Sequence, residues 1–177
     1  MQANIEMKLR MALAKLAEDN VEKISVSALC EKAGISRASF YIYYRSLDDL
    51  ISRTREYIIN RLDEQFTILV EVKNEEFSEK NCKIFNDVDL ALLKGFTGNR
   101  VYWDFLINAN RVIFPRFRQK MIELHGEKLY QEKKEEFEFI LNGSIVTYYF
   151  DLIDYDEQSF IKNIKRVYRI VQQLLFE

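Results

Sequence analysis

One proline, Pro115, and five glycines in 177 residues leave little material for tight turns. A sheet-rich fold needs such residues at frequent intervals. Their scarcity, with helix formers throughout, points to an all-α chain. Two cysteines, Cys30 and Cys82, are too few and too far apart for a disulfide scaffold or a zinc site. His125 is the only histidine. A Ser-His-Asp triad would have to be built on it, beside Gly126 at an expected helix end, and a metal cluster would lack ligands. No glycine-rich phosphate loop occurs, and the acidic runs "NEEF" and "KKEEFE" have the look of solvated surface rather than paired carboxylates. No catalytic residue, metal ligand or cofactor is expected, and the chain is not expected to be an enzyme. With no signal peptide and no apolar run of membrane-spanning length, a reduced, cytoplasmic protein that makes no membrane contact is expected.

Another absence is local. Asp and Glu make up 28 of the residues, yet none stands between Glu31 and Asp48. Inside that gap, "AGISRASFYIYYRS" (33–46) places four aromatics in the five positions from Phe40 to Tyr44. Lys32, Arg37 and Arg45 make the stretch positive, although the whole chain carries a formal net charge of −2. An acidic second domain can average away a small basic face, so the whole-chain charge excludes little.

The apolar spacing around this stretch predicts short helices. Ile5, Leu9, Ala12, Leu13 and Leu16 form one stripe over Asn4 to Leu16. Ser25 is placed to cap a brief helix ending at Ala33, Gly34 to take the left-handed turn after it, and Ser36 to cap a second short helix to about Tyr44. Ser46-Leu47-Asp48-Asp49 fits a capping box opening a long helix with Leu50, Ile51, Ile58, Leu62, Phe66 and Leu69. A loop is expected over Lys73 to Asp87. Helices are then expected at about Val88 to Lys94, Asn99 to Ala109, and Phe114 to Leu124 with Pro115 in its first turn. Two more follow, at Lys133 to Ile153 and Glu157 to Phe176.

The pair of short helices fits the helix-turn-helix pattern. Leu29, Ala33, Ile35, Phe40 and Tyr44 sit where two crossed helices need apolar contacts, and Phe40 and Tyr44, four apart, have the spacing of core residues. In such a unit the second helix enters the major groove, led by Ser36, Arg37, Ala38 and Ser39. Arginine can bond guanine bidentately and an alanine methyl can meet a thymine methyl. Hydroxyls of serine and tyrosine suit phosphates, and an acid among them would repel the backbone.

"ISVSALCEKAGISRASFYIYYRSLDDLI" resembles the N-terminal domain of the tetracycline-repressor (TetR) family of bacterial transcription regulators. The resemblance rests on the serine opening helix two, the "AGIS" turn, the "SFYIYY" run and the serine-capped start of helix four, and covers roughly residues 5 to 55. It implies that Ser25 and Ser27 touch phosphates, that Arg37 and Ala38 face bases, that Ser39 faces a base or phosphate, and that Tyr41 and Tyr43 hold phosphates. Two departures stand out. Leu47 occupies a position where the family commonly has a phosphate-gripping lysine, for which Arg45 is the substitute at hand. Ser27 stands where an arginine is frequent.

The implied architecture is a three-helix helix-turn-helix domain (1–46) joined by the long fourth helix to a helical ligand-response and dimerisation domain (47–177). The implied function is a regulator, most simply a repressor, that binds double-stranded DNA at a palindromic operator as a homodimer and answers a small apolar or aromatic effector. The alternative is a helical protein–protein interaction module with lost or weak DNA binding. The last two helices carry apolar stripes, and Ile140, Ser144, Tyr148, Ile164, Val167, Val171 and Leu174 are the expected dimer contacts. Trp103, Ile107 and Tyr148 are the candidate effector lining.

Overall fold

The computed structural model describes residues 2–20, 24–71, 77–82, 85–97, 101–154 and 157–176, and every regular element among them is a helix. In chain order these are α1 (Gln2–Asn20), α2 (Val26–Ala33), α3 (Arg37–Tyr43), α4 (Leu47–Glu71), α5 (Glu79–Cys82), α6 (Asp87–Thr97), α7 (Val101–His125), α8 (Glu127–Glu132), α9 (Lys134–Asp154) and α10 (Glu157–Phe176). Among the described residues no helix is long and apolar enough to cross a membrane.

Contacts divide the chain into two units. The first comprises residues 1–58 and 85–102, and so holds α1–α3, the first half of α4, and α6. Its core is Leu9, Leu13, Leu29, Phe40, Leu50 and Ile58, with Leu92 and Leu93 brought in by α6. α6 packs extensively on α1, where Ala12, Ala14 and Ala17 are buried and present little bulk. This packing division differs from a boundary at 46/47 because α6 returns to α1 from far along the chain. Asn86 starts α6 with a reciprocal cap. Its side chain accepts from the N–H groups of Val88 (2.9 Å) and Asp89 (3.0 Å), while the buried Asp89 carboxylate accepts from the Asn86 N–H at 3.2 Å.

The second unit, residues 59–84 and 103–177, holds the rest of α4 with α5 and α7–α10. Leu62, Phe66 and Leu69 of α4 are buried, as are Phe137 and Leu141 of α9 and Phe160, Ile164, Tyr168, Val171 and Leu175 of α10. Side chains also hold the end of α4, where carbonyls lack helical donors. The Gln172 amide donates to the Leu69 carbonyl at 3.1 Å, His125 Nε2 stands 3.5 Å from the Val70 carbonyl, and Lys120 pairs with Glu71. α5 is tied to α4 by Gln65, whose amide donates to the Asn81 carbonyl at 2.9 Å, and just before it Phe77 stacks on Tyr168 with centroids 3.7 Å apart.

Three expectations from sequence are corrected. α1 runs well beyond Asn4 to Leu16 at both ends. The loop expected over Lys73 to Asp87 contains the single turn α5. The two helices expected on either side of residues 110–113 are one helix, α7, with Pro115 inside it. Proline there removes the hydrogen bond to the Arg111 carbonyl and crowds it, at a cost of about 3 kcal/mol. Burial of Ala109, Ile113, Phe117 and Met121, an unbroken stripe at spacings of four, offsets that cost. Arg111 and Pro115 lie on the exposed side of α7, where the freed carbonyl can turn to water. Pro115→Ala is expected to raise stability by about 1–3 kcal/mol by restoring the missing bond; a urea titration with the slope unchanged checks it.

Candidate nucleic-acid interface

The turn between α2 and α3 follows from Gly34, whose φ of 64° and ψ of 40° are left-handed. Its N–H donates to the Glu31 carbonyl at 3.1 Å and the Ile35 N–H to the Cys30 carbonyl at 3.0 Å, the paired closure of a Schellman motif. Both short helices are started by serines. The Ser25 Oγ accepts from the Ala28 N–H at 3.2 Å, and the Ser36 Oγ from the Ser39 N–H at 3.0 Å.

α3 then sorts its residues by face. Phe40 is 0% exposed and Tyr44 is buried, their ring centroids 5.6 Å apart, with Tyr41 edge-on to Phe40 at 5.3 Å. Burial pushes the Tyr44 phenol upward, helped by Glu6 and opposed by Arg10 and Arg53. Behind the turn, burial likewise raises the Cys30 thiol, with the Arg37 charge acting the other way. The outward side carries Arg37, Ala38, Tyr41 and Ile42, all exposed, with Ser39 and Tyr43 half-buried.

α4 opens on Ser46, whose Oγ accepts from the Asp49 N–H at 3.1 Å. The return bond of the capping box comes from one residue earlier than expected: Asp49 Oδ2 accepts from the Arg45 N–H at 2.9 Å. That bond, together with the Arg53 guanidinium at 2.9 Å, holds the Asp49 carboxyl below its ordinary value. Asp49, the second acid after the gap, is therefore occupied by backbone and arginine.

All nine residues expected to meet DNA lie in one unit, and Ser25, Ser27, Ser36, Arg37, Ala38, Tyr41 and Arg45 are exposed. A serine that accepts from a helix N–H keeps its own proton for another acceptor, so Ser25 can cap and donate at once. Ser36 and Ser39 share a hydrogen bond at 2.9 Å, which engages one of their two protons. Leu47, at the first position of α4, is half-buried. Sequence reasoning missed Ile42, which is 75% exposed between two tyrosines. An aliphatic residue that the helical spacing places off the Phe40–Tyr44 stripe was the available signal.

The other expected sites fall differently. On α9 and α10, Ile164 and Val171 are already covered by the chain's own helices, and Ser144 is buried with its hydroxyl donating to the Ile140 carbonyl. Ile140, Val167 and Leu174 are half-buried and retain surface for another contact. The side chains of Trp103, Ile107 and Tyr148 lie outside the described residues. Among the described residues no group of His, Cys, Asp and Glu could hold a metal ion.

A short helix, a left-handed glycine turn and a second short helix with Arg37, Ala38, Tyr41 and Ile42 outward make residues 24–44 a helix-turn-helix unit. Residues 9–54 match the family model of the bacterial regulatory proteins of the tetR family. The matched segment is similar to the N-terminal domain of that family, a family of DNA-binding transcription regulators. No curated protein and no solved structure gives a significant match.

Gly34→Ala tests the turn. An added Cβ would meet nothing within 4 Å, so only the left-handed backbone resists it. The expected loss is about 1–2 kcal/mol, read by thermal or urea unfolding of the full chain.

Proposed function

We propose that this chain represses transcription, binding a palindromic operator as a homodimer and leaving it when a small apolar or aromatic effector binds. The observation that carries the DNA contact is the sorting of α3. Phe40 and Tyr44 point into the head, while Arg37, Ala38, Tyr41 and Ile42 face out from a stretch without acids. In this reading residues 1–46 meet DNA. Arg37 forks onto a guanine, and Ala38 and Ile42 meet thymine methyls. Ser25, Ser27, Tyr41, Tyr43 and Arg45 grip phosphates, and Ser36 and Ser39 approach the backbone or a base edge.

Residues 47–177 supply response and dimerisation. Support for the dimer comes from surface left on α9 and α10: Ile140, Val167 and Leu174 are half-buried, and Phe139 is largely exposed. Two recognition helices about one turn of duplex apart read a palindrome. An effector lodged near Trp103, Ile107 and Tyr148 releases the operator by preferring a conformation in which the heads do not match that spacing. A second reading, a protein-docking head, is favoured by the apolar surface at Ile42 and Leu47, and salt separates the two.

Selection of duplexes from a randomised pool, followed by a salt titration on the enriched sequence, tests the proposal. The expected outcome is a palindrome whose affinity falls with a log–log slope of about −0.9 per phosphate neutralised; salt-independent binding to protein instead supports docking. Arg37→Ala is expected to cost about 1–3 kcal/mol on the selected site and to relax preference at one base pair. Leu47→Lys is expected to tighten binding to every sequence alike and to steepen the salt slope by about one. A gel-shift or anisotropy series on matched and scrambled duplexes reads both changes.

A further inference from the structure

Within the second unit, a cavity of about 570 Å³ opens between α7, α8 and the start of α9. Small-molecule sites occupy roughly 300–1,000 Å³, so the space suits a compact ligand. Its floor is apolar, formed by Phe114, Pro115 and Ile122 of α7 and Tyr130 of α8. Around it stand two cations, Arg118 and Lys134, and two anions, Glu123 and Glu138. None of the residues expected to meet DNA lines it.

The rim charges are loosely engaged. Arg118 is 3.7 Å from Glu127 and Lys134 is 3.8 Å from Glu138, both beyond ordinary hydrogen-bond length. These side chains are about half exposed, and such pairs hold their partners weakly. Glu123 accepts one bond, from the Gln119 amide at 2.9 Å, and keeps further lone pairs. The charges also converge on one ring. The Arg118 guanidinium carbon is 5.6 Å from the Tyr130 centroid, and the phenol, raised first by burial, is raised further by Glu138 and lowered by Arg118.

Two positive and two negative groups around an apolar floor disfavour a polyanion, which the glutamates repel, and a polycation, which Arg118 and Lys134 repel. They complement a ligand with one charge of each sign and an apolar body. We propose that this cavity binds a small apolar zwitterion of dipeptide size, with its carboxylate on Arg118 and Lys134, its ammonium on Glu123 and Glu138, and its side chains over Phe114, Ile122 and Tyr130. The site is independent of operator binding, and its test needs no DNA.

Calorimetric titration of the full chain with leucyl-phenylalanine is the experiment, run beside the N-acetylated and C-amidated forms. The expected result is saturable binding of the free dipeptide, weakened about tenfold by each cap, as befits the loss of a charge-assisted hydrogen bond. Arg118→Gln is expected to abolish the difference between free and amidated forms only, and Glu138→Gln the difference between free and acetylated forms only. Should Arg118→Gln fail to fold by circular dichroism, Lys134→Gln replaces it. Absence of binding at millimolar dipeptide, equal binding of capped and free forms, or variants that leave the cap effects unchanged would each overturn the assignment.

Discussion

The short helix α3 exists because Phe40 is buried. α3 has seven residues, and a helix of that length is not stable alone in water. Phe40, with no exposed surface, and Tyr44 behind it tie α3 to the head, and full burial of such a side chain contributes about 1.5–3 kcal/mol. With those two inward, the helical repeat turns Ala38 and Ile42 to the opposite face, and Arg37 and Tyr41 are exposed beside them. Placement of the outward side chains is thus a consequence of hydrophobic packing. The left-handed turn at Gly34 and the serine caps align the helix that Phe40 anchors.

The long helix after the head depends on the same division of labour. Its start is set locally, by Ser46, Asp49 and Arg45 within a few residues of one another. Its end is set from afar. The Leu69 carbonyl takes its donor from Gln172, more than a hundred positions later in the chain, and Lys120 of α7 pairs with Glu71. A helix start needs side-chain acceptors, which nearby serine and aspartate supply. This helix end has no glycine of its own to close it, so donors come from other helices.

That asymmetry explains which parts of the fold were legible. The cap residues Ser25, Ser36 and Ser46 and the turn at Gly34 were readable because their partners lie three or four positions away. α10 matched its apolar repeat at both ends. The division of α7 was misread because Pro115 is a strong local breaker, and its tolerance rests on contacts made by Ala109, Ile113, Phe117 and Met121. Of the outward surface of α3 and its flanks, the polar and basic members were evident from the acid-free gap. Ile42 was not, because an isoleucine beside tyrosines resembles core until its neighbours' burial is known.

By itself the sequence determined an all-α chain, the serine and glycine punctuation of the head, and the cleared charge around α3, all of which act through neighbours along the chain. Tertiary structure decided what lies far apart in number but close in space: the return of α6 to α1, the continuity of α7 through its proline, and the cavity under Arg118 and Lys134. It also showed that Ile164 and Val171, two members of an apparently exposed apolar stripe, are spent on the chain's own core. The physical reason is common to all of these. Capping and turn formation are local hydrogen-bonding choices, whereas burial is a property of which surfaces meet, and a helical repeat specifies a face without naming its partner.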